Sequence, residues 1–270
     1  MPLTVLKGHG TENDFVLVPD LDGALDLTPE LVRALCDRHA GIGGDGVLRV
    51  VRQDGQFFMD YRNADGSVAE MCGNGVRVFV RYLQHAGLVQ DQTAVVTRGG
   101  LKQVRTTGDE LTVRMGSPVF RPDLAKVTPA GHAPLQAFAH VEMPNPHLVS
   151  WVDSLDELHD LDLFHAPTVE PGRPDGQNLE FVHRTGPRHL TMRVHERGVG
   201  ETRSCGTGIC AIVAGAAAQE DGPDGTPWRV DVPGGTLTVV WQPDQQLELT
   251  GPAVLVGEIS LPDEWLSHYR

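Results

Sequence analysis

The run GTGICAIVAGAAAQEDGP (Gly206 to Pro223), wound as a helix, shows apolar or small residues on nearly every side. A surface helix keeps a polar face, whereas one that is apolar all round has to be enclosed. The chain must therefore build a shell around this segment. Material for a shell is abundant: DFVLV, GVLRVV, FFMDY, TAVVT, LTVRM, LEFVH, LTMRVH, WRVDV and TLTVVW recur along the sequence with Gly and Asp turns between them. Such short alternating or β-branched runs predict strands, mostly antiparallel. Two further helices are legible. In TPELVRALCDRHAG, Thr28 is placed to cap, Pro29 takes the first helical position, Glu30 lies in the first turn, Leu31, Val32 and Leu35 form the apolar stripe and Gly41 ends it. In GNGVRVFVRYLQHAG, ended by Gly87, Val76, Phe79, Val80 and Leu83 make one broad face with Arg77, Arg81 and Gln84 elsewhere. That pattern predicts a helix buried less completely than the first.

A chain of 270 residues sits where one core commonly divides in two. The Pro-rich stretch GSPVFRPDLAKVTPAGHAP (Gly116 to Pro134) lacks periodicity and reads as the linker. The expected halves are 1–117, carrying Cys72, and 118–270, carrying Cys205, with the last ~10 residues free to pack back on the first half. The fold class expected is α+β, each half a curled, mostly antiparallel sheet around a central helix.

Both of those central helices start in the same way. MCGNGVRV (Met71 to Val78) and SCGTGICA (Ser204 to Ala211) each put a cysteine before a small-residue turn and an apolar run, 205 − 72 = 133 residues apart. A thiol at a helix N-terminus faces unpaired amides and the positive end of the dipole, which favour thiolate. Gly73, Gly75, Gly206 and Gly208 would let the backbone approach a ligand, so that its amides could hold a carboxylate. Two matched acid/base groups on opposite sides of a carbon are what inversion requires: one removes a proton and the other returns one to the opposite face. The spacing thus suggests a racemase or epimerase. Buried cysteine is usually inert, and that is the reading for Cys36 and Cys210; the duplicated Cys-Gly-x-Gly context argues against it for Cys72 and Cys205. The two settings are near-identical, so the sequence does not say which thiol rests ionised.

Other chemistries fit less well. A net charge of −14 without a basic run disfavours nucleic acid. No apolar run approaches the roughly 18 residues of a membrane span, and the polar Lys-Gly-His-Gly near the start is not signal-like, so a cytoplasmic location is expected. Gly41 to Gly46 satisfies G-x-G-x-x-G but follows a helix and leads into a strand, the reverse of the dinucleotide-binding order. Gly206 to Ala211 does open a helix, yet no alternating βαβ rhythm follows it. Lys7, Lys102 and Lys126 sit by no phosphate cradle that would suit pyridoxal phosphate, and no Cys/His cluster has zinc-ligand spacing. No cofactor and no metal are expected.

Six motifs run along the chain in order: HGTENDF (His9 to Phe15), GIGGDG (Gly41 to Gly46), NADGSVAEMCGNG (Asn63 to Gly75), NPH (Asn145 to His147), GQNLEFV (Gly176 to Val182) and ERGVGETRSCGTG (Glu196 to Gly208). With these motifs in this order the chain resembles the diaminopimelate epimerase family from end to end. The resemblance implies two pseudo-symmetric α/β halves, a homodimer, and cofactor-free interconversion of LL- and meso-2,6-diaminopimelate. It implies that Cys72 and Cys205 are the bases, and that backbone amides of Gly73, Asn74, Gly206 and Thr207 hold the reacting carboxylate. Asn13, Asn63, Asn145, Asn178, Glu196 and Arg197 would line the substrate, with His147 and Glu196 tuning the thiols. Asn63 equally suits a turn former, Arg197 a surface ion pair and His147 a loop histidine. The family's usual HGLGNDF is HGTENDF here, and a glutamine contact of some members falls on Gly46. The alternatives kept are a proline or hydroxyproline racemase-type enzyme and a non-catalytic amino-acid-binding protein.

Overall fold

The computed structural model describes residues 3–269. The chain forms two compact units, residues 1–113 with 251–270, and residues 114–250. No helix among the described residues is long and apolar enough to cross a membrane.

The first unit runs β1 (Leu3–Gly10), β2 (Asn13–Pro19), α1 (Pro29–Cys36), β3 (Gly46–Gln53), β4 (Gln56–Asn63), α2 (Gly73–His85), β5 (Gln92–Thr97), β6 (Gly100–Thr107) and β7 (Glu110–Gly116). Neighbours in this series pair antiparallel except β2 with β3 and β4 with β5, which are parallel. A parallel pair needs a crossover long enough to return the chain, and α1 and α2 are those crossovers. Thr28 caps α1 as expected, its hydroxyl accepting from the Leu31 amide at 3.2 Å.

The second unit runs β8 (Val119–Arg121), β9 (Lys126–Thr128), β10 (Leu135–Glu142), β11 (Pro146–Trp151), α3 (Leu155–Asp160), β12 (Thr168–Glu170), β13 (Asn178–Gly186), β14 (His189–Glu196), β15 (Gly200–Thr202), α4 (Gly206–Ala218), β16 (Pro227–Val232), β17 (Gly235–Trp241) and β18 (Leu247–Pro252). The parallel pairs are β11 with β13 across α3, and β14 with β16 across α4. From β10 to β18 the second unit therefore repeats the plan of β1 to β7, with α3 standing for α1 and α4 for α2. Every residue of α4 from Gly206 to Ala217 is buried, as its all-round apolarity demanded.

Three expectations need correction. Residues 251–270 belong to the first unit, rather than only the last few, because β19 (Val254–Leu261) pairs along β1 from Leu3↔Leu261 to His9↔Val254. The supposed linker 116–134 carries β8 and β9, which pair with β10, and it buries Ala125 and Val127. Helix α2 is less completely buried than α4, as its pattern predicted, with Arg81 and Gln84 half-buried and His85 exposed, but Arg77 is not among its open positions. Arg77 is fully buried, its Nε donating to the Pro252 carbonyl at 3.2 Å, and Arg81 Nε donates to the Ala253 carbonyl at 3.3 Å. The returning segment supplies those acceptors, so the pattern of α2 alone could not reveal them. The short helices α3 and α5 (Asp263–Leu266) were also not foreseen; each spans too few residues to show a helical period.

Candidate active site

Cys72 and Cys205 are the N-caps of α2 and α4. Each therefore sits where the first helical amides have no intrahelical acceptor. Gly73, Asn74, Gly206 and Thr207 occupy the first two positions of these helices, so their N–H groups are among those orphans. Beyond this shared frame the two settings differ.

In the first unit, Cys72 Sγ accepts from the Gly75 amide at 3.5 Å and donates to Asn13 Oδ1 at 3.5 Å. Asn74 Nδ2 also donates to Asn13 Oδ1, at 3.3 Å, while Asn13 Nδ2 donates to Asp45 Oδ2 at 2.7 Å. Asp45 thus fixes which end of the Asn13 carboxamide faces the thiol. Asp45 is itself part of a charged network with Arg38, Asp14 and Lys7. Burial, then the Asp14 charge, raises the carboxyl of Asp45. For Asp14 burial pulls upward too, but hydrogen bonds from Arg38 and Lys7 outweigh it and hold the carboxyl well below its ordinary range.

In the second unit, Cys205 is buried against carboxylates. Its Sγ lies 3.5 Å from the Thr207 hydroxyl, and the carboxyl of Glu196, which accepts from the Thr202 hydroxyl, acts on it by its charge. Glu196 as a residue is half-buried but its carboxyl lies deep, and burial raises it despite that bond. Burial first, and then the charges of Glu196 and Glu180, push the Cys205 thiol well above the ordinary cysteine value. Thr207 and the Gly208 amide pull the other way and lose. At this thiol desolvation and two carboxylates outweigh the pull of the helix-end amides.

Asn145 Oδ1 lies 3.1 Å from His147 Nε2, and the Nδ1 of the same ring lies 2.6 Å from Glu180 Oε1. His147 and Glu180 are both fully buried. Asn178 Oδ1 accepts from the Arg197 backbone N–H at 2.9 Å. Arg197 is exposed, and its guanidinium donates to the Asp175 carbonyl at 3.1 Å. Asn63 ends β4, where its carboxamide donates to Ser67 Oγ at 3.0 Å and so serves a turn. The structure thus gathers Asn13 and Asn74 around Cys72, and Glu196 and Thr207 around Cys205, with Asn145 joined to His147 and Asn178 to Arg197.

Glu180 is the residue that sequence reasoning missed. Asn178 to Val182 are five consecutive buried residues of β13, a strand covered on both faces. A glutamate inside such a run has to be buried, and an acid there is costly unless paired. That was the available signal.

A Cβ on Gly208 would meet Glu180 Oε1 at 2.6 Å, and one on Gly75 would meet Leu48 Cδ2 at 3.3 Å and Cys72 Cβ at 3.4 Å. Their Cβ sides face protein, so packing gives each position its own reason for a small residue. Gly46 has no room for a side chain either: a Cβ would lie 2.5 Å from the Arg62 carbonyl oxygen and 2.7 Å from the Tyr61 ring. A glutamine contact is therefore closed to this backbone. Glu12, at the family's glycine position, holds φ 60, the left-handed conformation that glycine adopts freely.

The family model for diaminopimelate epimerase matches residues 5–121 and 139–256. The chain belongs to that family. It is 53% identical to diaminopimelate epimerase of Streptomyces coelicolor, over 98% of this chain and 97% of that one. It is 48% identical to the Thermobifida fusca protein of the same name, over 93% and 95%. Among solved structures, a phenazine biosynthesis protein of the PhzF family from Bacillus anthracis matches with a TM-score of 0.74 at 16% identity, covering 97% and 99%. A hydroxyproline epimerase from Agrobacterium vitis matches with 0.66 at 15%, covering 98% and 94%. At those identities the structural likenesses speak for the fold, two pseudo-symmetric halves of mixed, curled sheet around few helices.

Proposed function

We propose that the chain interconverts LL- and meso-2,6-diaminopimelate by two-base proton transfer, in the service of lysine and peptidoglycan precursor synthesis. The observation that carries the reading is the pair of cysteine-capped helices, one in each unit, in a member of this family. Cys205, held protonated by burial and by its carboxylate neighbours, is the resting acid. Cys72 acts as the base once the proton that its Sγ donates to Asn13 Oδ1 has been released. Its thiolate takes the α-proton and becomes a thiol; the electron pair left on carbon is delocalised into the carboxylate, which the helix-start amides of Gly73, Asn74, Gly206 and Thr207 stabilise. The Cys205 thiol then gives its proton to the opposite face and becomes a thiolate, leaving the enzyme poised for the reverse direction. Both protons are carried by thiols, so the scheme needs no metal and no organic cofactor. Asn13, Asn63, Asn145, Asn178 and Arg197 bind the substrate, with Arg197 on the distal carboxylate. Location in the cytoplasm and assembly as a homodimer complete the reading.

The test is proton NMR of the reduced protein with LL-diaminopimelate in D₂O and no added cofactor. Loss of the α-proton signal with appearance of the meso isomer is expected. Cys72→Ala and Cys205→Ala should each lower the rate by about 10²–10⁴-fold. Near-normal epimerisation by either variant refutes the two-base scheme, and exchange of L-proline instead of diaminopimelate moves the chain to the racemase type.

A further inference from the structure

The internal repeat allows the two cysteine sites to be compared position by position. In the first unit the parallel register sets Phe15 beside Gly46 and Leu17 beside Leu48. In the second it sets His147 beside Asn178 and Val149 beside Glu180. Phe15 therefore corresponds to His147, Gly46 to Asn178 and Leu48 to Glu180. The helix starts agree with this assignment. A Cβ on the third residue of α2, Gly75, would meet Leu48 and Phe15 at 3.3 and 3.6 Å, whereas one on the third residue of α4, Gly208, would meet Glu180 at 2.6 Å. One unit fills the space beneath its cysteine-capped helix with an apolar pair. The other fills the same space with a buried histidine and glutamate.

Packing does not require that ionisable pair, since Phe15 and Leu48 do the packing in the repeat. A buried ion pair is weak support for stability in any case, and a well-packed apolar pair of similar volume is commonly its equal or better. This one is also incompletely satisfied: Glu180 Oε2 is buried and has no hydrogen-bond partner. Its retention is explained by what stands next to it. The titratable groups facing the Cys205 thiol are Glu196 from the end of β14 and Glu180 from β13, with His147 from β11 against both carboxylates; α4 adds the Thr207 hydroxyl and the Gly208 amide. Cys72 has an uncharged carboxamide, Asn13, in contact with its thiol.

We propose that Glu180 is a positioning residue for proton transfer at Cys205: it fixes His147 through Nδ1 and places a buried carboxylate behind the second helix start, where the first has Leu48, so that two cysteines in near-identical sequence settings hold their protons with different strength. The proposal rests on the two-base reading given above. Glu180 touches no reacting atom. It acts through His147 and through its charge.

The test compares the pH dependence of kcat/KM for LL-diaminopimelate in the wild type, in Glu180→Gln and in the double variant His147→Phe/Glu180→Leu, which transplants the apolar pair of the first unit. The free-enzyme profile reports the acid and base in their resting states. Removing the charge makes the Cys205 proton easier to lose, so the alkaline limb moves down by about one pH unit, the acid limb stays and KM changes less than twofold. The double variant folds, melts no lower than the wild type, and its alkaline limb moves in the same direction. Glu180→Asp, which keeps the charge, holds the limb near its wild-type position. An alkaline limb that stays put in folded Glu180→Gln overturns the proposal, and if that variant does not fold, an unmoved limb in the double variant does so. Loss of activity at every pH in Glu180→Gln and Glu180→Asp alike, with the fold intact, overturns it too. An active Cys205→Ala variant instead sinks the two-base reading itself, independently of what Glu180 does.

Discussion

Gly75 and Gly208 occupy the same helical position in two motifs that differ by two letters in five, CGNG-V and CGTG-I, and alanine at each should give opposite results. At Gly208 the new methyl lands 2.6 Å from Glu180 Oε1 and 3.3 Å from its Cγ and Cδ. The carboxylate cannot step aside cheaply, because it is fully buried and held 2.6 Å from His147 Nδ1. Overpacking costs about 1–3 kcal/mol, and loosening a hydrogen bond to a charged group costs about 1.5–3 kcal/mol. Both costs fall on the same displaced carboxylate and overlap rather than add, and alanine's better helix propensity returns up to about 1 kcal/mol, so the net loss is about 2–4 kcal/mol. At Gly75 the nearest atoms are a Leu48 methyl at 3.3 Å and Cys72 Cβ at 3.4 Å, which small shifts accommodate, so the net change stays within about 1 kcal/mol. Urea unfolding followed by tryptophan fluorescence reads this well, since Trp151, Trp228 and Trp241 all lie in the second unit. Gly208→Ala should also melt roughly 5–15 °C lower. Equal losses at the two positions, or none at Gly208, would show that Glu180 does not hold its place as firmly as its bonds imply.

Three further outcomes are expected. Gly46→Gln should destabilise by about 2–3 kcal/mol in the same urea assay, because the first side-chain atom already meets the Arg62 carbonyl oxygen at 2.5 Å. Glu12→Gly should raise stability by up to about 1 kcal/mol by relieving a left-handed residue at φ 60, with part of the gain offset by the freer unfolded chain. The Asp14 carboxyl titrates below its usual 3.8 when folded, so its contribution is complete above that value and drains as pH falls through the folded value. Asp14→Asn should therefore be less stable than the wild type at pH 7, with the gap closing in acid, and a gap that is constant from pH 7 to pH 2 would contradict the assignment.

What could be read in the sequence follows from the range of the forces involved. Helix α4 was legible because its apolarity is all round, and Thr28 because a cap is a local event. Both cysteine starts were visible for the same reason. What stayed hidden depends on neighbours distant in sequence. Arg77 looks like a solvent-facing residue until Pro252 and Thr11 arrive to accept from it. The difference between the thiols was likewise invisible, since Cys205 is governed by Glu180 and Glu196, which come from two other strands. The closed side of Gly46 is set by β4. In each case the deciding neighbours sit on other elements, beyond the reach of a pattern on one.

The pairing of Leu3 with Leu261 has a consequence for how the molecule is made. A ribosome delivers the chain in order, and all of residues 114–250 emerge before the strand that borders β1 exists. The nested unit can be complete while its host still lacks an edge, so the host is the later of the two to finish folding. The half bearing Cys72 must wait for the tail, and its first strand spends nearly the whole of translation with one side unpaired.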